Sequence, residues 1–270
     1  LLQNIKKDKP DVIWPCLHGA TGEDGALRDI LALTGVPFVG ATAHSARLAW
    51  DKSIAKILVA GQGIQTPPSV TLPKETFKEL DADSVLKAIT SSLSLPLVVK
   101  PARSGSAQGV TLVTKVDQLS KAMIDAYVYC DVAIIEKMVE GTELAISVID
   151  LGAGPIALPA VEIEPVAGHF GYQERYTAGE TNYYVPARLT KAVAERAAAM
   201  AIKAHNALGL RHLSRIDMII DKKGTAWFLE ANVLPGLTET SLLPQAVLAA
   251  GHSLGAVYHS LAEAALRGRG

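Results

Sequence analysis

Two rhythms of apolar and polar positions alternate along this chain, and the switches between them mark its elements. Short aliphatic runs occur at 11–17, 37–39, 95–101, 110–113, 132–138, 144–150, 155–163, 215–220 and 225–233. They have strand length, are rich in Val and Ile, and are bounded by Gly, Pro, Asp or Ser. Helical spacing covers 26–34, 46–60, 84–94, 117–130, 190–208 and 242–266, the last broken at Gly251. Residues 1–10 read as the tail of a helix ending at Pro10. Gly61-Gln62-Gly63 closes the helix at 46–60, and Thr66-Pro67-Pro68 opens an extended piece. The stretch 166–188 follows neither rhythm and is rich in Gly, Tyr and polar residues. A loop of that length in a compact protein is usually a lid or substrate loop, which Tyr172 and Tyr176 can pack closed.

The order strand, Gly-rich loop, helix, strand over 11–39 is that of a βαβ unit. Its loop, His18 to Gly25, opens a helix and can hold an anion there, although a Gly-rich turn is as often only a turn. A length of 270 residues suits two compact lobes. At 49% apolar residues and a mean hydropathy of +0.23, a substantial core is expected and a disordered chain is not. A net charge of −1 implies no polyanion-binding surface, so nucleic acid is not expected as a partner. Two distant cysteines, Cys16 and Cys130, give neither a disulfide scaffold nor a zinc site and are expected as buried thiols in a reducing cytoplasm. No apolar run is long enough to span a bilayer, and no signal-peptide pattern opens the chain.

The most informative stretch is 214–241. Two strand-like runs flank Asp221-Lys222-Lys223-Gly224, a turn signal, and so form a β-hairpin. Glu230 and Asn232 share one face of the second strand, since side chains alternate. Asp217, on the first strand, joins them only if it pairs with Glu230. A loop of four residues, Lys222 to Thr225, gives that register, and a loop one residue shorter puts Asp217 on the other face. In the first case three oxygen donors converge, a set suited to Mg²⁺ completed by water and nucleotide phosphates. The same acids also fit a solvated hairpin face. Pro235-Gly236-Leu237-Thr238 and Ser241 follow directly, a polar loop where backbone can approach a ligand.

Two lysines bear on phosphate chemistry. Lys52 lies within the 46–60 helix, where a lysine is ordinarily solvated. Lys100 ends a strand and precedes a small-residue loop, Ala102 to Gly109, whose N–H groups can ring an anion. The spacing is not that of the Walker phosphate loop.

Together, HGATGEDG (His18–Gly25), VVKPARSGSAQGV (Val98–Val110), IIEKMVEGTE (Ile134–Glu143), YQERYTAGET (Tyr172–Thr181) and SRIDM…FLEANVLPGLTETSLLP (Ser214–Pro244) resemble, in order, the D-alanine–D-alanine ligases. The resemblance implies an α/β chain of α+β lobes in the ATP-grasp fold, behind a truncated Rossmann-like N-terminal domain. It divides the chain into 1–41 (the remainder of that domain), 42–139 (central lobe) and 140–270 (C-terminal lobe with the metal and substrate site). It implies a cytoplasmic enzyme, usually a homodimer without membrane or nucleic-acid partners, that uses ATP and two Mg²⁺, or Mn²⁺, to join two D-alanines for the peptidoglycan stem. Lys52, Lys100, Ser104 and Ser106 would contact phosphates. Glu136, Lys137 and Val139 would line the adenine pocket, and Glu143 would hold the ribose. Asp217, Glu230 and Asn232 would be the metal ligands. Arg215 and the Gly236 N–H would surround the reacting carboxylate. His18, Glu23, Ser241 and Leu242 would contact substrate, and Tyr176 and Ser106 would complete the catalytic set. Relatives that use D-lactate lack this tyrosine, so D-alanine is the expected acceptor. The chain departs from the family in three places. It starts after a strand and loop whose glutamate holds the first D-alanine's amine. It has Ala107 where a second serine is usual, and Arg175 where lysine is common.

Overall fold

A computed structural model describes residues 1–166 and 180–268. Helices α1 (Leu2–Asp8), α2 (Ala20–Glu23) and α3 (Ala26–Ala32) open the chain. Around them Ile13 and Phe38 form a parallel bridge, as a βαβ order requires. Helices α4 (Ala43–Trp50) and α5 (Lys52–Gly61) follow.

Next comes a four-stranded antiparallel sheet of β1 (Ser69–Pro73), β2 (Leu97–Pro101), β3 (Thr111–Val113) and β4 (Val132–Lys137), in the order β1-β4-β2-β3. Helices α6 (Lys74–Glu79), α7 (Ala82–Leu93) and α8 (Leu119–Tyr127) are interleaved with it. Leu86, Ile89, Leu119 and Met123 cover Leu97, Val99, Ala133 and Ile135. Strand alternation sends the next residues of the same strands, Val98, Lys100 and Glu136, to the opposite face.

The second sheet joins β5 (Gly141–Asp150), β6 (Pro155–Ala157), β7 (Val161–Pro165), β8 (Thr181–Tyr184), β9 (Leu213–Asp221) and β10 (Ala226–Asn232). Its order is β10-β9-β5-β7-β8, with β6 beside β5, and every pairing is antiparallel. Helix α9 (Lys191–Ala207) lays Ala197, Ala201 and Ala204 on it, small side chains that let helix and sheet approach closely. Helices α10 (Leu242–Ala249) and α11 (Leu254–Arg267) complete a further core of Leu243, Val247, Val257 and Leu261 against Ile149, Val161 and Leu213.

The structure corrects several expectations. The helix expected at 46–60 is two helices. Asp51 leaves helical geometry and its carboxylate accepts from the Ser53 and Ile54 N–H groups, capping α5. Residues 43–64, grouped from sequence with the 42–139 lobe, pack instead on the larger sheet: Ala46, Ala49, Ala55, Val59 and Ile64 share a core with Ile146, Phe228 and Ala231. Strand β8 lies within the stretch read as an unbroken loop. Cys16 is exposed and Cys130 only half-buried, since both lie in segments between strands and helices rather than in a packed face. Among the described residues no helix is long and apolar enough to cross a membrane.

Candidate functional site

The two sheets enclose a cavity of about 580 Å³, a size that suits a nucleotide-sized ligand. The smaller sheet supplies Val98, Lys100, Glu136 and Lys137, and the segment after β4 supplies Met138 and Val139. From the larger sheet come Glu143, Ile163, Asp217, Ile219, Leu229 and Glu230, and Lys52 and Ser104 also line the cavity.

The β9–β10 hairpin shows how the acids reach that cavity. Its turn is the shorter of the two alternatives: Asp221 pairs with Thr225, its N–H donating to the Thr225 carbonyl at 3.0 Å, around Gly224 at φ 77°. That left-handed backbone strongly favours glycine. Alone, this turn would set Asp217 against Leu229. The register shifts between Phe228 and Glu230, however, so that Glu230 faces Asp217 and Asn232 faces Arg215. Leu229 is the extra residue of a β-bulge. The short turn and the bulge offset each other, and Leu229 and Glu230 both line the cavity.

Around these acids the polar groups are tightly paired. Arg215 Nε and Nη2 donate to the two Asp217 oxygens, each at 2.7 Å, and Asn232 Nδ2 reaches Asp217 Oδ2 at 3.1 Å. Burial disfavours the Arg215 charge, but Asp217 outweighs it and raises the guanidinium further above its usual range. Lys52 Nζ lies 3.2 Å from Glu230 Oε2 and donates to the Ser104 carbonyl at 2.7 Å. It is 7% exposed, not solvated as a helix lysine ordinarily is, because the Asp51 cap starts α5 at this residue and turns it inward. Asp217, Glu230 and Asn232 form an oxygen-rich set suited to a hard divalent cation. Among the described residues no cluster of three His, Cys, Asp or Glu has metal-site geometry, so such an ion would need further ligands from water or phosphate.

Glu23 is 3% exposed. Burial raises its pKa, opposed by the Gly19 N–H at 2.7 Å and by the charges of His18 and Arg215. Its Oε1 lies 3.3 Å from His18 Nδ1. The loop read as a possible simple turn thus carries a buried acid within electrostatic reach of Arg215 and Glu230. Gly236 packs on Ser241 so closely that a Cβ there would meet Ser241 Oγ at 2.5 Å. Ser241 Oγ lies 2.8 Å from Thr238 Oγ1, and Leu242 packs into the core of α10 and α11. Ser104 and Ala107 line the cavity and Ser106 does not. Ser106 and Ala107 both have left-handed backbones, at φ 56° and 57°. Tyr176, with Tyr172 and Arg175, lies outside the described residues.

Two features were missed from sequence. Arg188 donates to Glu162 Oε1 at 2.6 Å and to Glu164 Oε1 at 2.7 Å, over the ring of Tyr184. The alternation Val161-Glu162-Ile163-Glu164 hinted at a charged face, but nothing local announces Arg188. The other is Lys56, buried against Glu136. It lies one turn beyond Lys52, a spacing that could have drawn attention to it.

Comparison with known proteins follows this geometry. A family model described as D-ala D-ala ligase C-terminus matches residues 58–263. The chain is 33% identical over 270 residues to a D-alanine–D-alanine ligase of Pelotomaculum thermopropionicum, covering 100% of this chain and 85% of that one. Among solved structures it is similar to the VanG D-Ala:D-Ser ligase of Enterococcus faecalis, with 34% identity, a TM-score of 0.85, and coverage of 94% of this chain and 73% of that one. It is also similar to the Bacillus anthracis D-alanine–D-alanine ligase complexed with ATP, with 28% identity, a TM-score of 0.80, and coverage of 100% and 84%.

Proposed function

The chain belongs to the D-alanine–D-alanine ligase family, and from that premise we propose which of its residues carry the ATP-dependent joining of two D-alanines. The enzyme is an ATP-dependent ligase of the ATP-grasp fold.

A carboxylate is a poor acyl donor. ATP converts the first D-alanine to an acyl phosphate, the amine of the second attacks its carbonyl carbon, and inorganic phosphate leaves. In our reading, Lys52 and Lys100 face the phosphates, with the Ser104–Ala107 loop beside them. Glu136, Lys137 and Val139 border the base, and Glu143 borders the ribose. Asp217, Glu230 and Asn232 would hold Mg²⁺, which neutralises charge on the transferring phosphoryl group when bound. Arg215 and the Gly236 N–H stabilise the oxyanion of the tetrahedral intermediate, acting where charge develops. His18, Glu23, Ser241 and Leu242 border the amino acids.

One observation carries this reading: the bulged hairpin puts Glu230 opposite Asp217 on the cavity side, with Arg215 and Lys52 already paired to them. We also place the protein in the cytoplasm, where ATP is supplied, as a homodimer serving peptidoglycan synthesis, as is usual in the family. Light scattering tests the dimer. The deciding assay measures ADP release by the full-length protein with D-alanine, D-serine, D-lactate or L-alanine, and identifies the product by mass. D-Alanine alone should support rapid release and yield the dipeptide. No D-alanine-dependent release would overturn the reading, and a mixed product with D-serine would reassign the acceptor.

A further inference from the structure

Lys56 has no role in the site above, yet it is 4% exposed. It lies on α5, whose apolar residues Ala55 and Val59 pack into the core of the larger sheet. Its Nζ instead crosses to the smaller sheet. There it donates to the Pro67 carbonyl at 2.9 Å, Ser69 Oγ at 2.9 Å and Glu136 Oε2 at 2.8 Å. Those acceptors use all three donors of the ammonium. The other oxygen of Glu136, Oε1, accepts from Lys100 Nζ at 2.5 Å. Glu136 is itself 3% exposed. Burial lowers the Lys56 pKa against the attraction of Glu136. At Glu136 burial works against the charge, but Lys100 and Lys56 outweigh it and keep the carboxylate ionised below its usual range.

We propose that Lys56 is a positioning residue for nucleotide binding: by fixing Glu136 it sets the direction in which Lys100 faces the cavity. A lysine side chain is long and rich in rotamers, so its aim depends on a fixed partner. Glu136 provides that partner only if its own carboxylate cannot rotate, and Lys56 holds the oxygen that Lys100 does not. Lys56, Glu136 and Lys100 together carry one net positive charge, in a cavity also lined by Glu143, Asp217 and Glu230. This inference rests on the ATP site proposed above.

The test compares wild type, Lys56→Met, Glu136→Gln and the double variant. ATP binding is followed by calorimetry with Mg²⁺ present, together with KM for ATP and for D-alanine. A hydrogen bond to a charged group is worth about 1.5–3 kcal/mol, so Lys56→Met should weaken ATP about tenfold or more. KM for D-alanine should stay within about twofold, a split that simple loss of packing does not produce. The double variant should bind ATP as Glu136→Gln alone does, because the two residues act in series. Lys100 loses its carboxylate partner equally in Glu136→Gln and in the double variant, so the comparison of those two stands even if Lys56→Met does not fold. Unchanged ATP affinity in Lys56→Met overturns the proposal while leaving the ATP site intact. A double variant much weaker than Glu136→Gln overturns it too. A wild-type enzyme that does not bind ATP removes the site and the inference together.

Discussion

Arg215 grips both oxygens of Asp217 from two positions away on the same strand, at 2.7 Å each. The guanidinium is thus held in place before any substrate arrives, as electrostatic stabilisation of a transition state requires. Arg215→Ala should lower turnover about 10²–10³-fold with the secondary structure retained. Steady-state ADP release together with circular dichroism checks this, and a variant within about tenfold of the parent would refute the assigned role.

Glu230 supplies one of the two carboxylates at the candidate metal site. Glu230→Gln keeps the shape and removes the charge. The Mg²⁺ concentration giving half-maximal ATP binding should rise at least about tenfold, since carboxylate charge dominates the affinity of such sites. An unchanged Mg²⁺ dependence would place the ion elsewhere.

Gly236→Ala tests the approach of backbone to Ser241. The new methyl would displace Ser241 Oγ and break its 2.8 Å contact with Thr238. Overpacking of this kind costs about 1–3 kcal/mol. The expected result is a higher KM for D-alanine with KM for ATP unmoved; equal KM values for D-alanine in variant and parent would separate Ser241 from the substrate.

Two buried histidines contribute to the loss of stability in acid. His205 Nδ1 lies 2.8 Å from Ser214 Oγ, and His212 Nδ1 accepts from the Gly40 N–H at 2.9 Å. Burial pushes each pKa down to about 4. For His212 the Arg211 charge adds to burial and Asp150 opposes it. The unfolded imidazole takes up its proton near about 6.5, so the unfolded state binds more protons below that pH. The stability from each neutral histidine is therefore present above about pH 6.5 and lost as pH falls through the folded value. Each group can contribute up to about 1.4 kcal/mol per pH unit in that window. His212 has a left-handed backbone, φ 65°, which Asn tolerates, and an Asn carbonyl can accept from Gly40. Urea midpoints for His212→Asn should decline less between pH 6.5 and 4 than those of wild type; parallel declines would exclude His212.

The legible parts of this protein were those written locally. Apolar runs located most strands, and the Ala-rich spacing located α9. The five ordered motifs pointed to the ligase family and its fold. Asp217, Glu230 and Lys52 reach one cavity, although the expected route to it differed. The turn is shorter than the loop that would have aligned the acids, and the bulge at Leu229 depends on pairing with β9 that no local residue announces. The assignment of α4 and α5 to the larger sheet also rests on distant partners, Phe228 and Ala231. Lys56 escaped notice because a lysine on a helix is almost always solvated, and its acceptors Pro67, Ser69 and Glu136 come from other elements. Asp51 was read inside one continuous helix, although an Asp ahead of a helical run is a start signal; as the cap of α5 it explains why Lys52 turns inward.

The bulge at Leu229 also changes how β10 must be read as a pattern. The core residues along it and just beyond its end are Ala226, Phe228, Ala231 and Val233. The spacing runs in twos with a single step of three. The strand is two half-waves out of phase, and the phase slip falls at the residue that separates Phe228 from Glu230. Unbroken alternation would force these two onto one face, so the chain would lose either a core aromatic or a cavity carboxylate. A single inserted residue lets one strand keep Phe228 and Ala231 in the core and still turn Glu230 to the cavity.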